Sequence, residues 1–200
     1  MQRLSVQTLV DRLSKLGPRE LTIPTVQELV ADGALDEASL RPYIGALPHK
    51  YARRLVHRGP HFEMLVLTWL PGQFTPVHNH AGSCGWVRLV RGQIAEDAYR
   101  LVPGAAVPAA LVGNDPASCG GPGGKIGLEA TGSGVISQIG AVANVDRVRA
   151  IHRLGNPAPA GGDTTVTLHV YAPAHDACLA FDVEKRTCSR RELAYDPALV

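Results

Sequence analysis

Pro71-Gly72-Gln73-Phe74-Thr75-Pro76-Val77-His78-Asn79-His80 carries two histidines at i and i+2, and Gly92 follows twelve residues after His80 in Leu89-Val90-Arg91-Gly92-Gln93. On an extended backbone such a pair points to one face with its bases about 7 Å apart, a gap that two imidazoles can close onto one metal ion. An isolated His-x-His also arises by chance, with ordinary surface or core histidines as the plain alternative. The surrounding sequence therefore has to carry the reading.

Outward from this stretch, the texture is that of short strands. Runs rich in Val, Leu and Thr occupy Tyr51 to Val56, Phe62 to Leu70, Gly85 to Val90, Gln93 to Leu101, Val135 to Ile139, Val148 to Leu154, Thr164 to Tyr171 and Cys178 to Val183. Gly or Pro interrupts nearly every gap, which predicts an antiparallel sandwich or barrel. Residues 103 to 134 are dense in Gly and Pro with little periodicity, and the expectation there is a long surface loop. Residues 1 to 45 read differently. Val6, Leu9, Val10, Leu13 and Leu16 form an apolar helical stripe stopped by Gly17-Pro18. Thr25-Val26-Gln27-Glu28 has capping-box form, and Asp36 to Leu40 opens a third short helix before Pro42. These helices are expected to pack on the β-part as a cap without catalytic residues, within one domain spanning 1–200, the β-part covering 46–200.

Composition narrows the class. The 200 residues are 45% hydrophobic and 19% charged, enough for a folded core, and the net charge of +2 is too weak a field to suggest nucleic acid or an anionic membrane as partner. No apolar run approaches the roughly 18 residues of a membrane span, and the N-terminus lacks a signal-peptide core, so a cytoplasmic location is expected. Cys84, Cys119, Cys178 and Cys188 form no CxxC pair and are expected to be reduced thiols. Oligomeric state is left open, with a monomer favoured.

The histidine stretch with its following glycine resembles the first motif of the cupin superfamily, small antiparallel jelly-roll-like β-barrels that hold a metal inside. The expected fold class is thus mostly β, a cupin with an N-terminal helical segment. Many cupins place a Glu about four residues after the second His, where this chain has Cys84. A neutral third ligand from farther along is then needed, and His152 in Ile151-His152-Arg153-Leu154-Gly155-Asn156 is the strand-borne candidate. Three neutral imidazoles leave a divalent charge uncompensated, which favours anionic ligands. On six-coordinate iron three positions stay available, for a thiolate, an amine and dioxygen, whereas zinc with one open position would favour hydrolysis.

Four stretches in order resemble the cysteine dioxygenases, the thiol dioxygenases of the cupin fold: Tyr51 to Val56, Thr68 to His80, Ile151 to Asn156, and Thr167 to Pro173 together with Asp176 to Asp182. The resemblance implies Fe(II) on His78, His80 and His152, and Arg53 on the carboxylate of bound cysteine. It also implies pocket positions for Tyr51 and Trp69, although aromatic core packing is at least as ordinary a reading for Trp69. Arg suits the carboxylate chemically, because its planar fork matches two oxygens and stays charged when partly buried. Of the adjacent Arg53 and Arg54, one is expected to point outward.

Thr167, His169 and Tyr171 alternate on a strand, share a face and can hydrogen-bond in a chain. The family usually has Ser at the first of these positions; Thr167 keeps the hydroxyl. Tyr171 would then offer a phenolic proton beside the reacting oxygen. Vertebrate members join the tyrosine to a cysteine. The corresponding position is Gly85, with Cys84 its neighbour facing the other way, so no crosslink is expected. His49, His57, His61 and His175 fit no ligand pattern and are expected at the surface, and Cys178 as a small buried thiol. The implied reaction is L-cysteine plus O2 to cysteine sulfinate. A 3-mercaptopropionate dioxygenase, which usually has Gln where Arg53 stands, a noncatalytic ligand-binding cupin, and a zinc- or manganese-dependent isomerase are the alternatives.

Overall fold

A computed structural model describes residues 3–102, 126–147 and 151–197. Helix α1 (Val6–Leu13) is capped by Ser5, whose hydroxyl accepts from Thr8 N, and it buries Val6, Leu9, Val10 and Leu13 on one side, as the stripe predicts. Helix α2 (Ile23–Ala31) starts three residues earlier than the capping-box reading. Thr22 is its cap, and Pro24 sits in the first turn, where a missing N–H costs nothing. The third element is a 3-10 helix, Glu37–Tyr43, capped by Asp36 and running through Pro42.

Eleven strands follow among the described residues: β1 (Ala52–Arg58), β2 (Glu63–Trp69), β3 (Val77–His78), β4 (Cys84–Arg91), β5 (Ile94–Leu101), β6 (Leu128–Ile136), β7 (Val142–Val145), β8 (Ile151–Gly155), β9 (Thr165–Ala172), β10 (Ala177–Asp182) and β11 (Thr187–Glu192). They form two antiparallel sheets, one in the order β1-β2-β9-β4-β7 and the other β11-β10-β3-β8-β5-β6. The protein is therefore mostly β with a few short helices, as expected, but the ladders do not close into one barrel: among the described residues the two sheets remain separate.

Strict alternation along β2 and β9 assigns two jobs to the first sheet. Met64, Val66, Val166, Leu168 and Val170 face α1 and α2 in one core, whereas Leu65, Leu67, Trp69 and Tyr171 face the second sheet with Val87, Leu89, Ile94 and Leu154. Both strands are consequently buried along their whole length. Arg88 ties α2 down by donating to the carbonyls of Val30, at 2.5 Å, and Gly33, at 2.6 Å, which serves the unpaired carbonyls at that helix end. Gly92 turns β4 into β5 at φ 79°, where a Cβ would lie 2.6 Å from Thr165 Oγ1, so the motif glycine is there for conformation and space.

Three expectations need correction here. Residues 128–134 are not loop: they belong to β6, which pairs with β5 along its length through its backbone while six of its nine residues stay exposed. An edge strand without an apolar face carries no alternation for the sequence to display. The remainder of that expected loop, residues 103–125, lies outside the described residues. Cys84 and Cys178 are free and buried, as expected, but Cys188 is disulfide-bonded, and Cys119 lies outside the described residues. Finally, neither Arg53 nor Arg54 points outward. Their side chains leave β1 on opposite faces and both are buried, Arg54 donating to Gly45 O and to Pro197 O because flanking segments cover the outer face of the strand. No helix among the described residues is long and apolar enough to cross a membrane.

Candidate metal centre and active site

The three predicted ligands come together. His78 ends β3 in register with His152 on β8, so the two side chains share a face. His80 lies just beyond β3, in a tight turn closed by Ser83 N donating to His80 O. One ring nitrogen from each of the three lies within 4.8 Å of the others. Each ring is also aimed. His78 Nδ1 is 3.0 Å from Pro76 O, and His152 Nδ1 is 2.6 Å from a Glu96 oxygen, so in both rings the N–H is spent on an acceptor and Nε2 keeps its lone pair. His152 Nε2 and His80 Nε2 then face each other at 2.9 Å, and His80 Nδ1 is buried with no partner.

Burial and the neighbouring imidazoles push His78 down to about 3 and His80 well below the usual histidine range, so both are neutral near pH 7. Neutral lone pairs converging in a buried space fit a cation. Among the described residues Glu96 is the one carboxylate hydrogen-bonded to this cluster, holding a ligand from behind, as partners of metal-bound histidines do. Reading the sequence for a carboxylate within reach of His80 missed Glu96, because the β5–β8 pairing that brings it to His152 is made across 56 residues of chain.

Beside the cluster lies a cavity of about 600 Å³, bordered by Tyr51, Arg53, Trp69, His78, His169 and Tyr171. Tyr51 and Trp69 stack at 4.5 Å to form one wall. Thr167 Oγ1 is 2.8 Å from His169 Nε2, and His169 Nδ1 is 2.9 Å from Tyr171 Oη. The direction of this chain is fixed by Trp69, whose indole N–H donates to Thr167 Oγ1 at 2.9 Å and can do nothing but donate. The buried threonine must then send its own hydrogen to His169 Nε2. Burial, with Arg53 nearby, lowers His169 to about 3, so the ring is neutral and its one N–H sits on Nδ1, donating to Tyr171 Oη. The phenolic hydrogen of Tyr171 is left for the cavity, and burial pushes its pKa upward, so it is held protonated. Trp69 is thus both wall and anchor of the relay.

Arg53 is on the cavity side of β1. Its backbone N–H donates to Asp196 at 2.8 Å, its guanidinium lies over the Tyr195 ring and is 3.5 Å from Glu63, and among the described residues its one side-chain hydrogen bond is to Ala194 O at 3.5 Å. The fork therefore keeps donors for a ligand. The chain's C-terminal segment covers this flank, a feature with no signal in its sequence. Gly85 sits in register with Tyr171, and a Cβ there would come within 2.9 Å of the His80 ring. Cys84 faces the helices instead, in the other core, so it is turned away from Tyr171 as expected. His49 is exposed, but His175 is not at the surface. It is buried against Tyr171 and borders the cavity, and burial lowers it to about 4. A histidine shortly after Pro173 looks like a turn residue, and only the fold of β9 into β10 carries it inward.

The model of the family described as cysteine dioxygenase type I matches residues 3–116, more than half of the chain. Among curated proteins, cysteine dioxygenase type 1 of Bos taurus is 23% identical over 184 residues, covering 90% of this chain and 81% of that protein. The Homo sapiens protein of the same name is 22% identical, covering 82% and 71%. The Danio rerio one is 24% identical over 67% of this chain, the match spanning only 57% of the relative's length. Similar solved structures include TT1209 from Thermus thermophilus, with TM-score 0.41 and 20% identity over 67% of this chain and 93% of that one. A Klebsiella pneumoniae protein with a double-stranded β-helix domain gives 0.42 and 16%, over 66% and 79%. With the family match running through Arg53, His78 and His80, the chain belongs to the cysteine dioxygenase type I family, within the cupin superfamily.

Proposed function

We propose that this chain is a thiol dioxygenase that converts L-cysteine and O2 to cysteine sulfinate, with Fe(II) held by His78, His80 and His152. The observation that carries the reading is one cavity bordered by Arg53, a donor for a carboxylate, Tyr171, a donor for an oxygen, and His78, one of the three clustered imidazoles. Family membership supports the thiol and O2 as the substrate class. On this reading residues 1–200 form one domain, its N-terminal helices backing the sheet that bears the relay.

Iron, when bound, would supply the redox chemistry by which both atoms of dioxygen reach sulfur without an external reductant. The protein's own groups do the rest. Arg53 pairs with the substrate carboxylate and so fixes which end of the amino acid faces the histidines. The Tyr51–Trp69 wall excludes water, which strengthens each polar contact inside. Tyr171 points its phenolic hydrogen into the cavity, where it stabilises negative charge developing on oxygen, and the Trp69–Thr167–His169 chain keeps it pointed there without reorganisation.

Oxygen uptake by the iron-loaded protein with L-cysteine, 3-mercaptopropionate and cysteamine tests the assignment. L-Cysteine is expected to be the best substrate. Arg53→Ala is expected to raise the KM for cysteine by about 10- to 100-fold, from a lost charge-assisted hydrogen-bond pair, with iron content unchanged. Equal or better turnover of 3-mercaptopropionate by the wild type would overturn the substrate assignment.

A further inference from the structure

His175, which borders the cavity, and the buried Glu63 next to it have no part in the steps above. Glu63 is fully buried on β2, in register with Tyr171. Its Oε2 accepts from Tyr195 at 2.5 Å, whereas its Oε1, without a hydrogen-bond partner among the described residues, lies between Arg53 Nη2 at 3.5 Å and His175 Nδ1 at 3.6 Å, the latter just past bonding range. His175 Nδ1 is likewise buried and unpartnered. A carboxylate only accepts, so the nitrogen facing it is the one that carries the hydrogen, and the ring's other nitrogen, Nε2, keeps a lone pair. Among the described residues Nε2 has no hydrogen-bond partner, and the ring borders the cavity, edge-on to Tyr171 at 4.9 Å between centroids and 6.0 Å from His80. Its neighbours Arg53 and Tyr171 both offer hydrogens to the same space. His175 is the acceptor among donors.

We propose that His175, oriented by Glu63, determines specificity by accepting a hydrogen bond from the substrate's amino group, so that the cavity selects aminothiols over thiols that lack the amine. The proposal rests on the thiol dioxygenase reading. A carboxylate then meets Arg53 and an amine meets His175, each finding the opposite hydrogen-bonding polarity. A thiol without the amine would leave the Nε2 lone pair at the cavity wall without that hydrogen bond, and a site built to bond a polar group rejects analogues that lack it.

Anaerobic calorimetry on the iron-loaded protein with L-cysteine and with 3-mercaptopropionate, alongside kcat/KM for each, tests this. The wild type is expected to bind cysteine the more tightly. His175→Phe, which keeps the ring's bulk without nitrogen, is expected to reduce the cysteine-to-mercaptopropionate affinity ratio about tenfold, the loss of one hydrogen bond, by weakening cysteine alone. His175→Gln, which keeps an acceptor oxygen, retains part of the ratio, and Glu63→Gln lowers it by freeing the ring. An unchanged ratio in His175→Phe, an equal loss for both thiols, or a wild type without preference for cysteine overturns the proposal. If the wild type turns over neither thiol, the dioxygenase reading fails while the calorimetric ratio still decides the role of His175.

Discussion

Valine at position 167 removes one hydroxyl from the relay with almost no change in shape. Thr167 Oγ1 accepts from Trp69 at 2.9 Å and lies 2.8 Å from His169 Nε2, so Thr167→Val orphans two buried polar atoms at once. At about 1–3 kcal/mol for each orphan, the cost is roughly 2–6 kcal/mol, a fall in Tm of at least about 4 °C for a chain of this size. The effect on catalysis comes from direction. Once nothing donates to His169 Nε2, the ring can carry its hydrogen there and accept from Tyr171 at Nδ1, which turns the phenolic hydrogen away from the cavity. The loss should then equal that of removing the donor outright, about 10²-fold or more in kcat, with KM little changed. The assay is the initial rate of O2 uptake by protein of measured iron content at saturating L-cysteine. Thr167→Val and Tyr171→Phe should fall together, the double variant should be no worse than Tyr171→Phe, and Thr167→Ser should restore most of the rate. A Thr167→Val protein within about threefold of wild type, beside a Tyr171→Phe protein down about 10²-fold, would refute the relay as a device that orients the tyrosine.

Other expectations follow from the same geometry. Glu96→Ala should weaken metal retention by about 10- to 100-fold in competition with a chelator, because His152 loses the carboxylate that holds its Nδ1–H; unchanged retention would remove Glu96 from the centre. Gly85→Ala should push on His80 and Val145, costing about 1–3 kcal/mol in thermal stability and loosening the metal. Gly132→Ala, which meets nothing within 4 Å, is its control. For the metal-free protein, folding keeps His78 and His169 neutral to about 3 and His175 to about 4, against 6.5 in the unfolded chain. The unfolded state takes up protons first as pH drops, so stability is fully present above about 6.5 and is lost progressively from there down to about pH 4 and below. Denaturant melts across that range read the loss, and a flat profile would contradict buried neutral imidazoles.

The parts of this fold that were legible in sequence are those whose burial is two-sided or strictly periodic. β2 and β9 show as apolar runs because both of their faces are covered, and α1 shows its 3.6-residue stripe because one face is. β3 is two residues long, β7 four, β6 exposes six of its nine residues and β11 five of its six, so beyond the end of β6 at Val135 and Ile136 none of them has an apolar pattern to read. At the site, His78, His80, Thr167, His169 and Tyr171 were readable because each group sits two residues apart on one extended segment. Glu96, Glu63 and His175 were not. Their partners are brought to them by pairing between distant strands, and a single acidic residue in Phe62-Glu63-Met64-Leu65 says only that something must compensate it, not what. The polarity of the relay was invisible for the same reason: it comes from Trp69, 98 residues away from Thr167 in the chain.

The most direct test of the central assignment is mass spectrometry of the product formed by the iron-loaded protein from L-cysteine under ¹⁸O2. A thiol dioxygenase centred on His78, His80 and His152 yields cysteine sulfinate with both sulfinate oxygens labelled, and substitution of any one of the three histidines by alanine abolishes it. Unlabelled or singly labelled sulfinate, disulfide alone, or full activity after loss of one of these histidines would contradict the account.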